Sequence, residues 1–110
     1  MDVFAIATSG MQAAVAKLDV AASNIANSGD DAPMSATQPA ASAAKPFQPQ
    51  QASLFSLADG GVGVQTAPAP GDDMGLDLVT QMMAIDQFKA SANVFQTGED
   101  AMKALLSIKA

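Results

Sequence analysis

Acidic pairs, one glycine-rich stretch and neighbouring methionines are the residues here whose types and spacing chemistry could use. Asp30-Asp31 and Asp72-Asp73 supply carboxylate oxygens of the kind that bind calcium. A calcium loop sets its oxygens at alternate positions around a turning glycine, and neither pair is set in such a loop, so both read as solvated loop charge. Gly60-Gly61-Val62-Gly63 has the glycine content of a phosphate loop. No Lys-Ser or Lys-Thr follows it, so it reads as a turn. Met82 and Met83 fall within a helical pattern and read as core or interface before any metal site. A serine or threonine nucleophile needs a base. The chain has no histidine, cysteine, arginine, tryptophan or tyrosine, which leaves five lysines and eleven acids. No catalytic, cofactor-binding or metal site is expected, and the chain does not read as an enzyme.

Charge removes further classes. The net charge is −6 over 110 residues, and five scattered lysines form no stripe to neutralise phosphates, so no nucleic acid is expected. No small-molecule substrate is expected either. An anionic membrane surface would repel the chain, and no run approaches the roughly 18 apolar residues of a spanning segment. The first residues carry Asp2 and no early cation, and their apolar positions recur periodically. A cleaved secretory signal is therefore not expected, and any export uses another route.

The elements that must position these residues fall into three zones. All six prolines lie between Pro33 and Pro70. Residues 1–28 read as a helix because Phe4, Ala7, Met11, Val15, Leu18, Ala22 and Ile25 recur at steps of three, four and seven. Asp2 suits its positive end, and Gly29 with Pro33 is expected to close it. Gly10 reads as a weak point, costing about 1 kcal/mol against alanine. Residues 74–110 read as a longer helix capped by Asp72 or Asp73. Its apolar face carries Val79, Met82, Met83, Phe88, Ala92, Phe95, Met102, Leu105 and Leu106, interrupted by Asp86 and Gly98. Between them, residues 29–73 form an insertion. Residues 32–53 are an Ala/Ser/Gln/Pro mix expected to be disordered, and about 54–66 read as a short β-hairpin turning at Asp59-Gly60-Gly61. The expected fold is mainly α: two long antiparallel terminal helices pairing as a coiled coil, with the hairpin and insertion between them.

Two helices and a hairpin do not close a core, so the methionine and phenylalanine stripes imply surface seeking other chains. At this point the residues carry a resemblance. Leu18-Asp19-Val20-Ala21-Ala22-Ser23-Asn24-Ile25-Ala26-Asn27 resembles the N-terminal signature of bacterial flagellar axial proteins, the basal-body rod family, and is most similar to its proximal rod type. Asp77-Leu78-Val79-Thr80-Gln81-Met82, with Ala92-Asn93-Val94, Thr97, Met102 and Leu105-Leu106, resembles that family's C-terminal helix. Gly61-Val62-Gly63-Val64 matches its glycine-valine strand. The chain departs from the family in lacking a threonine-proline-glycine turn after Asn27 and in its short segment before the last helix.

The resemblance implies a structural subunit of the proximal rod, serving flagellum assembly and motility. It implies the flagellar export apparatus as its route and a periplasmic location in the basal body. Its partners would be other rod and basal-body proteins and copies of itself. The residues expected at the assembly interface are Phe4, Met11, Val15, Leu18, Asn24, Ile25, Asn27, Met82, Phe88, Asn93, Phe95, Met102, Leu105 and Leu106. Alanines at 7, 14, 21 and 22 would admit a close helix while the larger residues fill the seam. Asn24 and Asn27 have two readings: terminal-turn residues satisfying loose carbonyls, or amides fixing register against neighbouring backbone. Asn93 reads as polar glue between helices. A competing function is a small acidic helical-hairpin adaptor or secreted protein that binds a partner helix.

Overall fold

A computed structural model describes residues 2–28, 48–69 and 73–109. The expectations placed on Gly29, on the acidic pair at 30–31, on the insertion up to residue 47 and on Asp72 lie outside the described residues. Two helices flank an antiparallel hairpin: α1, Val3–Ala26; β1, Gln50–Ser56; β2, Val62–Pro68; and α2, Met74–Lys109. The chain is mainly helical, as the periodicity predicts.

Each helix starts where an aspartate satisfies a loose amide. Asp2 sits in extended backbone and its carboxylate accepts from the Phe4 N–H at 3.0 Å. Asp73 does the same for Leu76 at 3.2 Å. α1 closes at Asn27, whose N–H reaches the Ser23 and Asn24 carbonyls at φ −107°. No left-handed residue is needed there, so the cap falls before the expected Gly29. In the hairpin, Leu54 faces Val64 and Phe55 faces Gly63, and the pairing runs from Ser56 with Val62 back to Gln50 with Pro68. The strands therefore extend beyond the expected 54–66 at both ends. Residues 50–53, read as part of a disordered stretch, are strand because β2 pairs with them, whatever their composition. Gly60 and Gly61 turn the chain at φ 85° and 96°, where only glycine is unstrained.

The helices run antiparallel along most of α1. Phe4 meets Phe95, Gly10 meets Ser91, and Asn24 meets Asp77. The hairpin lies on α1 and, among the described residues, has no packing against α2. The shape is a rod of 75 × 25 × 19 Å with a radius of gyration of 19.7 Å. A compact domain of this length would have a radius near 13 Å.

The core corrects the expected seam. Its buried apolar side chains are Ala7, Ala13, Ala14, Ala21 and Ala84, and no large side chain is fully buried among the described residues. Ala7, Ala14 and Ala21 recur every seven residues on α1, opposite Ala84, Ser91 and Gly98 at the same interval on α2. Two such flat stripes close onto each other, and a large residue between them would prise the pair apart. Gly98 thus belongs to the seam it was expected to interrupt, while Asp86 faces outward.

Alanine also changes the membrane reading. α1 has a mean hydropathy of 1.2 over its best window and, by length and composition alone, is apolar enough to cross a bilayer. That value is a window mean that alanine raises, so α1 reaches it without an unbroken run of apolar residues.

Candidate assembly interface

Asn24 joins three elements. It is 3% exposed, and its amide group is fully engaged. Its Nδ2 donates to the Gln50 carbonyl at 2.8 Å and to Asp77 Oδ1 at 3.1 Å, while its Oδ1 accepts from the Gln50 N–H at 3.0 Å. The side chain therefore grips the first strand residue as a neighbouring strand would, and ties α1 to α2 as well. Asn27 behaves differently: its Nδ2 donates to the Ser23 carbonyl at 2.7 Å, one turn back. Of the two readings left open for these asparagines, Asn24 has the geometry of register-fixing within one chain and Asn27 that of a helix-end residue.

Ser9 is a second tie that the sequence reading missed. Its hydroxyl donates to the Ile6 carbonyl at 2.7 Å and accepts from the Val62 N–H at 3.2 Å. Fifteen residues separate Ser9 from Asn24, about 22 Å along a helix. The six steps from Gln50 to Ser56, which pairs with Val62, cover about 20 Å of strand. The hairpin is thus cut to the distance between its two anchors.

Glycines set how close the parts come. A Cβ on Gly10 would lie 2.5 Å from Ser91 Oγ, so this residue admits α2 instead of weakening α1. At Gly98 a Cβ would come within 3.2 Å of the Phe4 ring. Phe4 itself meets Phe95 edge to face, with centroids 5.0 Å apart and planes at 70°. On the outer face of the hairpin the Phe55 ring lies over Gly63, where a Cβ would be 2.4 Å from it. The seven-residue recurrence of Ala84, Ser91 and Gly98 is a signal that could have placed Gly98 in the seam; Gly10 lies off the matching recurrence on α1.

The remaining expected interface residues do not converge on one seam. Met11, Leu18, Ile25, Phe4 and Phe95 are half-buried along its flanks, and Val15 is exposed. Met11 and Phe88 line two shallow grooves of about 380 and 360 Å³, the first shared with Asn93 and Phe95 and the second with Val15. Asn93 is exposed, so its amide does not glue α1 to α2. Met82 is 66% exposed, Leu105 66% and Leu106 65%, and Met102 is also in the open. The helix pair seals its seam with small residues, keeps some large apolar ones half-buried beside it and turns many others outward. Among the described residues no three acidic side chains converge on one point.

Chemically, this arrangement offers shape and apolar area and no reactive centre. Residues 4–28, which are α1 from Phe4 onward plus two following residues, match the family model described as flagella basal body rod protein. No curated protein matches the chain. Over this stretch α1 is similar to the flagellar basal-body rod family, a family of structural proteins and not of enzymes. The match supports a rod component located in the basal body and assembled with other rod and basal-body proteins.

Proposed function

We propose that this chain is a structural subunit of the proximal part of the flagellar rod, delivered by the flagellar export apparatus and polymerising through α1 and α2. The observation that carries this reading is the outward display of large apolar side chains by a helix pair whose first member matches the rod family. Such a surface is costly on a solitary protein and useful on a subunit. Burying a Met, Leu or Phe side chain contributes roughly 1.5–3 kcal/mol, so a handful at each contact suffices for stable assembly. Work of this kind is mechanical, and it agrees with a chain lacking histidine and cysteine.

The test is genetic and structural. Cells whose copy lacks residues 3–26 are expected to lose swimming and to arrest basal bodies before rod completion, as seen by electron microscopy. Normal flagella in that strain would refute the reading.

A further inference from the structure

The seam of α2 outruns its partner. α1 begins at Val3 under the Asp2 cap, beside Phe95 and Gly98 of α2. Eleven further residues, 99–109, continue as helix for about 16 Å, all of them exposed. The stripe that faced α1 carries on through this overhang. Leu105 follows Ala84, Ser91 and Gly98 at the seven-residue interval, and Met102 follows Phe88 and Phe95. Along the Ala84, Ser91 and Gly98 line the side chains are small where α1 is present; beyond α1 that line becomes large and apolar at Leu105, with Met102 and Leu106 alongside.

At the opposite end of the rod lies a cleft of about 650 Å³ between the end of α1, the start of β1 and the start of α2. Val20, Ala21, Ala52, Leu76 and Met83 give it apolar walls, and Asp73 and Asp77 bring acid to it beside Lys17. A helix segment of 16 Å displaces roughly 1,200 Å³, so the cleft admits side chains and not a helix. Charge fits as well. Lys103 and Lys109 flank the overhanging stripe, while Glu99 and Asp100 sit at its root.

We infer that the overhang of α2 docks on a second copy of this chain, with Met102, Leu105 and Leu106 entering that copy's cleft and Lys103 and Lys109 meeting Asp73 and Asp77. The contact is head-to-tail, so a docked pair keeps one free overhang and one free cleft, and assembly propagates. The inference rests on the rod-subunit reading and names the axial contact within it.

The chain has no cysteine, so introduced thiols report contacts cleanly. Purified full-length L106C and V20C variants are mixed at a concentration where sedimentation shows wild-type self-association, then treated with a short bis-maleimide. The mixed L106C–V20C dimer is the expected main product, and the double variant L106C/V20C should give a ladder. Self-cross-linking of L106C as the main product would overturn the inference, since it marks overhang paired with overhang. K103E/K109E is expected to weaken self-association at least tenfold with unchanged helicity; unaltered association would also overturn it. A wild type that stays monomeric at every concentration overturns the inference while leaving assembly with other rod proteins standing. A deletion strain that swims overturns the rod reading whatever cross-links form.

Discussion

Asn24 shows how one polar residue holds an otherwise featureless alanine seam in place. Removing its amide leaves the Gln50 N–H, the Gln50 carbonyl and an Asp77 oxygen without their partner in a partly buried place. Asn24→Ala should therefore cost about 2–4 kcal/mol in urea unfolding, more than an ordinary surface change. Gly10 gives a sharper test because propensity and packing predict opposite signs. In an open helix Gly10→Ala gains about 1 kcal/mol. Here the new methyl meets Ser91 Oγ, so a net loss of about 1–2 kcal/mol is expected on thermal melting. Ser91→Ala removes that oxygen and should restore most of the loss in a double-mutant cycle. The alanine spacing was legible in the sequence. The roles of Ser9 and Gly10 were not, because each depends on a residue more than fifty positions away.

The hairpin depends on α1 for its place. A two-stranded ribbon of this length is marginal alone, and this one rests on one helix face between the Ser9 and Asn24 anchors. With both anchors removed in S9A/N24A, amide exchange across Gln50–Pro68 should quicken at least tenfold while α2 keeps its protection. Equal loss in both elements would show that the chain opens as one unit. Periodicity and caps made both helices legible, and the glycine pair marked the turn. The base of the hairpin was hidden because Gln50, Gln51, Ala52 and Ser53 have no strand preference of their own. Their conformation comes from pairing with Gln65 to Pro68 and from the grip of Asn24. Residues 50–53 share the composition of the stretch before them, so composition did not mark them as strand.

As a whole, the described residues fully bury only small apolar side chains and leave the large ones half-buried or in solvent. Substitutions on the outer faces should therefore separate stability from assembly. V15E and M82E are expected to shift monomer unfolding by less than about 0.5 kcal/mol and to reduce basal-body incorporation severely. Co-sedimentation with purified basal bodies provides the measurement. The sequence disclosed the outward stripes only as stripes, since periodicity marks an apolar face without saying what covers it. One further consequence comes from which large residues stand outside. Met74, Met82, Met83 and Met102 are all in contact with solvent, and the chain has no thiol to intercept peroxide before they do. Their sulfoxides would be wet, bulky and polar, and Met82 and Met102 lie on the surface proposed above to meet neighbours. An oxidant dose too mild to melt the subunit should then spoil its ability to join others, and methionine sulfoxide reductase should restore it.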